Sequence, residues 1–373
     1  MIIAHIESSM NWGGQELRIV EQAKWLNENG HVCWIIARPG SEIILKAREN
    51  KVPVYELEIR GSLHPKTFLK LRSFLHHNKV QLLDCHGNRD ATYGALIKWL
   101  TSIVVVRSRH ITEPIRLNFF RRLLWRRGHH GIIVTANKIR AILEQEGLVS
   151  GVDVYVAIAG VDENRFRPAV NGNDLKDYLN IPKNHKVVAN ICMIRPDKGV
   201  HYFSEACKFL IKEHELITCI QIGEATAQTK NYKNKLVKSL SREIDMGRFR
   251  FLGYKSDIEN WLAICDVVVI SSVATEAQTR LVSQAFMMKK NVIATTVGGL
   301  PEMINHNVTG LLCEPSSPEA IIKSVEVLIN DDDICRRLQD SAFRHASENM
   351  TFSKMMSGML DFYESTLKCY GRF

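Results

Sequence analysis

The sequence predicts an α/β protein made of two doubly wound, Rossmann-like parallel-sheet domains facing a cleft. Three observations carry this. Strand-like and helix-like segments alternate from the first residue. Many strand-like runs are nearly continuous Val and Ile, which suits strands buried on both faces. The alternation then stops at a polar stretch with Pro and Gly, 160–186, and restarts beyond it. At 373 residues the chain can bury two cores.

The elements follow in order. "IIAHIES" (2–8) reads as the first strand. "QELRIVEQAKWLNENG" (15–30) reads as a helix, with Leu17, Ile19, Val20, Ala23 and Leu26 at helical spacing and Gly30 as its stop. Further strands are expected at 31–37, 52–59, 80–86, 102–108, 131–136 and 152–158, with helices at 66–79 and 90–100 among them. The stretch 160–186 reads as the interdomain link and the entry to the second domain. Strands resume at 187–194, 217–223, 248–253, 266–272, 291–297 and 309–314, and the chain closes on a helix at 351–370. The expected domains are 1–165, with the terminal segment 351–373 crossing back onto it, and 180–350. In such folds ligands bind outside the carboxyl ends of the strands.

Composition narrows the partners. Hydrophobic residues make up 45% and charged residues 24%, ordinary for a globular protein. No apolar run is long enough to span a bilayer, and the first residues read as a strand rather than a secretory signal. The nine cysteines include no Cys-x-x-Cys pair. Cys33, Cys85, Cys192, Cys219 and Cys265 lie in or beside strands and read as buried thiols of a reducing cytoplasm. No two histidines show a metal-like spacing, and the pairs at 76–77 and 129–130 read as surface. A net charge of +9 and a pI near 9.0 favour an anionic partner. No aromatic-and-basic nucleic-acid module is present, so no nucleic acid is expected.

Four stretches carry chemistry. In "NWGGQE" (11–16), Gly13 and Gly14 separate the first strand from the first helix. They either admit close approach of a ligand at a helix start or make a plain tight turn. The spacing is not Gly-x-Gly-x-x-Gly, which disfavours a dehydrogenase. In "ICMIRPDKGVHYF" (191–203), Arg195 and Lys198 flank a turn and can converge on a diphosphate. In "SSVATEAQTRLVSQAF" (271–286), Glu276 sits in a loop, a helix begins near Thr279, and Gln284 lies on its second turn. The amides around Thr279, Arg280 and Leu281 would suit a phosphate. In "VVVRSRHI" (104–111), a strand leads into Arg107, Arg109 and His110 at its carboxyl end.

With these assembled, the chain resembles the retaining GT-B glycosyltransferases of family 4 over nearly its full length. The carriers are "WGGQE", "RSRH", "AGVDENRFRP", "RPDKG", "FLGY" and the 271–286 stretch followed by "TTVGGLPEMI" and "HNVTGLL". The resemblance implies that Glu276 contacts the donor sugar hydroxyls, that Arg195 and Lys198 grip the donor diphosphate, and that the amides of Arg280 and Leu281 meet phosphate. It implies base recognition by the backbone of "FLGY", including Gly253 and Tyr254. Gly223 belongs to the same donor-binding set. Gly13 and Gly14 fall near the donor phosphate and acceptor, and His110 near the reacting sugar. Gln284 departs from the pattern, which has a second Glu for the ribose. An amide can still bind ribose hydroxyls, with weaker affinity expected. Glu302 reads as structural.

The implied reaction is hexosyl transfer, with retention, from a nucleoside-diphosphate sugar to a hydroxyl of a glycan or lipid-linked acceptor, in polysaccharide or lipopolysaccharide synthesis. No Asp-x-Asp appears at a suitable strand end, so no metal or other cofactor is expected. "IRLNFFRRLLWRRGHH" (115–130) interleaves Arg116, Arg121, Arg122, Arg126 and Arg127 with Phe119, Phe120, Leu123, Leu124 and Trp125. It fits a helix on an anionic membrane surface or one packed in the domain, so a cytoplasmic enzyme peripheral to the membrane is one expectation. A sugar-nucleotide epimerase and a non-catalytic nucleotide-sugar-binding protein are the competing readings.

Overall fold

The computed structural model describes residues 1–371 apart from 60–62, 112–114, 116, 150, 275 and 277, and apart from the side chain of residue 173. The chain forms two compact units. Unit 1 is Met1–Ala157 with Met356–Phe373, and unit 2 is Ile158–Met355.

Unit 1 holds strands β1 (Ile2–Glu7), β2 (Val32–Ala37), β3 (Val54–Glu56), β4 (Leu82–Cys85), β5 (Val104–Arg109), β6 (Gly131–Val134) and β7 (Asp153–Val156). Between them run helices α1 (Gly14–Glu28), α2 (Glu42–Glu49), α3 (Pro65–His77), α4 (Asn88–Leu100), α5 (Phe119–Arg127) and α6 (Asn137–Gln145). The sheet order is β3-β2-β1-β4-β5-β6-β7, and every pairing is parallel. The connections reverse direction between β1 and β4. β4 and β5 are buried along their whole length, as their unbroken apolar runs require when helices cover both faces. Ile6, Ile36, Leu83 and Val105 form one core face with Leu71, Leu75 and Ile97 from the helices.

Unit 2 repeats the plan. Its helices are α7 (Asn173–Tyr178), α8 (Val200–Glu213), α9 (Lys230–Ser239), α10 (Ser241–Asp245), α11 (Ile258–Ala263), α12 (Arg280–Met287), α13 (Leu300–Met303), α14 (Pro318–Asn330) and α15 (Asp332–Asn349). Its strands are β8 (Lys186–Ile191), β9 (Ile217–Ile222), β10 (Phe249–Phe251), β11 (Val267–Ile270), β12 (Asn291–Thr295) and β13 (Leu311–Cys313). The order is β10-β9-β8-β11-β12-β13, again all parallel, with the reversal between β8 and β11. Helix α16 (Phe352–Tyr370) begins in unit 2 and ends in unit 1.

The stretch 160–186 buries Val161, Phe166, Leu179 and Ile181 in the core of unit 2. Widely spaced apolar residues in a polar segment carry no period, so their burial was not readable. His129 is buried rather than at the surface, with its ring edge-on to Trp125. All nine cysteines are free, and Cys33, Cys85, Cys219 and Cys265 are buried. Among the described residues, no helix is long and apolar enough to cross a membrane.

Candidate active site

In open parallel sheets the crevice at a reversal point, outside the carboxyl ends of the strands, is where ligands bind. Each unit gathers polar side chains there.

In unit 2 the loop after β8 carries Arg195 and a single 3-10 turn, Pro196–Lys198, before α8. Gly199 ends that turn at φ 63°, and a Cβ there would lie 1.9 Å from the Ser271 carbonyl oxygen. Only glycine allows this approach, which brings Lys198 against the loop after β11. Ser271 Oγ then donates to the Lys198 carbonyl at 2.9 Å. Lys198 Nζ forms an ion pair with Glu276 Oε2, which also accepts from Ser272 Oγ at 2.9 Å. So the structure joins two residues that are 78 positions apart in sequence. Arg195 lies nearby in the chain, with Nε and one terminal nitrogen donating to the two carboxylate oxygens of Asp197 at 2.8 and 2.7 Å.

The Gly-Gly-Leu-Pro-Glu turn has a mechanical role. Gly298 has φ 62°, and its Cα faces the backbone of Glu276, whose carbonyl oxygen would lie 1.8 Å from an added Cβ. The Gly299 amide donates to that same oxygen at 2.7 Å. The turn after β12 therefore clamps the main chain at Glu276. Glu302, on α13, is exposed.

Thr279 is the N-cap of α12, and its Oγ1 accepts from the Leu281 amide at 3.3 Å. A phosphate at this helix start would meet the Thr279 and Arg280 amides first, because the hydroxyl engages the Leu281 amide. Gln284 is half-buried on the next turn. Gly223 follows β9, and its amide donates to the Gly253 carbonyl at 2.8 Å. That bond ties the ends of β9 and β10 together and leaves Tyr254 exposed.

In unit 1 Gly13 caps α1 and Gly14 is its first residue. Sequence reasoning missed the acids beside them. Glu7 ends β1 and accepts from the Ser9 amide at 2.7 Å and from the Gln15 side-chain amide. Burial, with Asp90 nearby, pushes its carboxyl up to about 7. Asp90 opens α4 and accepts from the Gly87 and Ser8 amides at 2.7 and 3.3 Å. Burial raises it to about 6 against those hydrogen bonds. The rule that strand ends face the crevice could have found Glu7. Nothing local marks Asp90.

Three histidines from three strands form a chain. His5 Nδ1 and His86 Nε2 are 2.9 Å apart, and His86 Nδ1 and His110 Nε2 are 3.0 Å apart. Burial lowers all three pKa values, that of His86 to about 3, so the rings are neutral. Asp84 Oδ2 lies 3.8 Å from His5 Nδ1 and 4.0 Å from His86 Nε2. These three atoms are close enough to share a cation. Their lone pairs and protons are, however, already engaged. The two rings bond each other, and Asp84 Oδ2 accepts from Tyr363 and Ser108 hydroxyls at 2.7 and 3.0 Å.

Helix α5 divides the two expectations for 115–130. Leu124 and Trp125 are buried, and the Arg107 guanidinium stacks 3.4 Å from the Trp125 ring centroid. Burial, with Arg109 adding repulsion, holds Arg107 down at about 9. Phe119 and Phe120 point to solvent, 86% and 54% exposed. Arg116 lies outside the described residues. A cavity of about 850 Å³ in unit 1, lined by Met1, Val32, Arg72, Lys79 and Ser102, sits at the amino ends of the strands, away from all these groups.

Two doubly wound parallel sheets, each with its polar cluster at the reversal point, are the GT-B architecture. The solved structures agree in fold. A glycosyltransferase from Rickettsia africae superposes with TM-score 0.89 at 21% identity, covering 98% of each chain. The Anabaena Alr3699/HepE protein in complex with UDP gives 0.87 at 21% identity, over 98% of this chain and 100% of that one. The chain belongs to the group 1 glycosyltransferases. The family model "Glycosyl transferases group 1" matches residues 171–345, and "Glycosyltransferase Family 4" matches 12–165. Among its relatives, the Escherichia coli UDP-Gal:alpha-D-GlcNAc-diphosphoundecaprenol alpha-1,3-galactosyltransferase is 24% identical over 80% of this chain and 79% of its own. The Salmonella typhimurium lipopolysaccharide 1,2-N-acetylglucosaminetransferase is 26% identical over 62% of each.

Proposed function

We propose that this glycosyltransferase moves a sugar from a nucleoside-diphosphate sugar to a hydroxyl of a lipid-linked or lipopolysaccharide-type glycan, with retention at the anomeric carbon. The observation that carries this is the Lys198–Glu276 ion pair at the β8/β11 reversal, four residues ahead of the first turn of α12. Departure of the nucleoside diphosphate builds negative charge. Lys198 and the amino end of α12 supply fixed positive potential there. Arg195 spends two donors on Asp197, which leaves three of a guanidinium's five for phosphate oxygens.

In the free protein Glu276 neutralises Lys198, so neither half-buried charge stands alone. A donor diphosphate would draw the ammonium away and release Glu276 Oε2 to accept from sugar hydroxyls. Gln284 would hold the ribose with one acceptor and one donor. Gly223, Gly253 and Tyr254 would border the base. His110, Gly13 and Gly14 would serve the reacting sugar and acceptor from unit 1. This scheme meets the diphosphate charge with protein cations, so a chelator is expected to leave the rate unchanged.

The names of the relatives support a diphosphoundecaprenol-type or lipopolysaccharide acceptor, and the UDP complex of the Anabaena protein supports a uridine donor. On such an acceptor the reaction would run at the cytoplasmic face of a membrane. Exposed Phe119 and Phe120 beside Arg121, Arg126 and Arg127 would give α5 a peripheral hold on anionic lipid. The test is the anomeric configuration of the product by NMR. An α-configured donor is expected to give an α-linked product, and a β-linked product would contradict the proposal. An epimer formed from donor alone would identify a sugar-nucleotide epimerase instead.

A further inference from the structure

We infer that His5 and His86 are positioning residues that fix the tautomer of His110, so that His110 presents Nδ1–H to the reacting sugar as a hydrogen-bond donor. The inference rests on His110 acting at that sugar. The parallel register sets His5 beside Asp84, and His86, the residue directly after β4, comes two residues further on, on the same side. His110 comes directly after β5. Two hydrogen bonds then link the three rings in series.

Each neutral ring carries one proton, so the series can run in only two directions. In one, His5 Nδ1–H donates to His86 Nε2, and His86 Nδ1–H donates to His110 Nε2. His110 must then hold its proton on Nδ1. In the other, every proton is reversed, His110 Nδ1 is a lone pair, and His5 carries its proton on Nε2. His5 is fully buried, and its Nε2 has no hydrogen-bond partner among the described residues. A buried N–H without an acceptor is the costlier orphan, and a buried lone pair the cheaper. Arg18, which also faces the rings, repels protonation of His86 and His110 alike and keeps the series neutral. The first direction wins.

The experiment uses the full chain labelled with ¹⁵N-histidine, with His110 assigned by its loss in His110→Phe. In the wild type, Nδ1 of His110 is expected to be pyrrole-type and Nε2 pyridine-type from pH 6 to pH 8. Two variants of His86 separate the links. The amide nitrogen of Asn falls near the place of imidazole Nδ1 and can donate to His110 Nε2, whereas the amide oxygen of Gln can take the place of Nε2 and accept from His5 Nδ1–H. His86→Asn therefore keeps the donor to His110, and His86→Gln keeps only the link to His5. His86→Asn is expected to retain the His110 tautomer and kcat. His86→Gln is expected to give mixed tautomers and about a tenfold lower kcat, with donor KM unchanged.

A pyridine-type His110 Nδ1 in the wild type would overturn the inference. So would an unchanged spectrum in His86→Gln, or zinc retained by the wild type through desalting and lost in His86→Asn. If the tautomer behaves as stated but His110→Phe transfers sugar at the wild-type rate, the role of His110 at the sugar fails instead.

Discussion

Replacing Gly298 by Ala should damage a reaction that residue never touches. The added Cβ would lie 1.8 Å from the Glu276 carbonyl oxygen, 2.6 Å from its carbon and 2.8 Å from its nitrogen. These are backbone atoms, so no side-chain rotation relieves the contact. Opening 1.8 Å to the 3.0 Å that real Cβ atoms respect moves one main chain by about 1.2 Å. A misplacement of about 1 Å in a positioned group costs roughly 100-fold in rate. The positive φ adds strain of about 1–3 kcal/mol, or a few degrees of melting temperature. Gly30→Ala is the control, because Gly30 has φ 81° with nothing within 4 Å of an added Cβ. It should lower the melting temperature similarly and leave kcat alone. Initial rates of nucleotide release and melting curves on both variants decide the matter. A Gly298→Ala enzyme with kcat within threefold of Gly30→Ala would refute the clamp on Glu276.

Three further outcomes follow from the same geometry. Gln284→Glu should change donor KM by about three- to tenfold and leave kcat nearly fixed, and a collapse of kcat would mean that Gln284 does more than hold ribose. His129 is buried neutral with its pKa well below the ordinary value, because burial and the Arg107 charge oppose its protonation. The unfolded chain takes up that proton as pH falls below about 6.5, so the contribution is present above that pH and lost as pH falls. The drop in melting temperature from pH 7.5 to 5.0 should therefore be smaller in His129→Phe than in the wild type, and an equal drop would contradict this. Phe119→Ser with Phe120→Ser should reduce sedimentation with phosphatidylglycerol vesicles at low salt while leaving activity on a soluble acceptor intact. Unchanged sedimentation would remove α5 from the membrane proposal.

The sheets were legible because buried parallel strands write themselves as apolar runs. "DVVVISS" became β11 and "VVVRSRH" became β5 with His110 just beyond it. The start of α12 was legible because Thr279 is a capping residue ahead of an apolar face. Contacts between distant segments were not. Lys198 and Glu276 each showed a place at a loop, but their pairing depends on the close approach at Gly199. The Gly298–Gly299 turn entered only as part of the string that carries the resemblance, since neither φ nor proximity to Glu276 is written locally. The histidine series joins single residues from β1 and from the ends of β4 and β5, with no spacing to betray it. Helix α5 showed an amphipathic pattern, yet only packing separates Trp125, under Arg107, from Phe119 in solvent.

The central claim is that unit 2 grips a nucleoside diphosphate through Lys198. The direct measurement is the melting temperature of the wild type and of Lys198→Ala with UDP-, GDP-, ADP- and CMP-sugars. Binding at 100 times Kd contributes about 2.7 kcal/mol, so one nucleotide should raise the wild-type melting temperature by roughly 5 °C or more. The account predicts that this shift, taken from each protein's own nucleotide-free melting temperature, is lost in Lys198→Ala, whose baseline is lowered by the unpaired Glu276. An equal shift in the variant, or no shift with any of the four in the wild type, would contradict it.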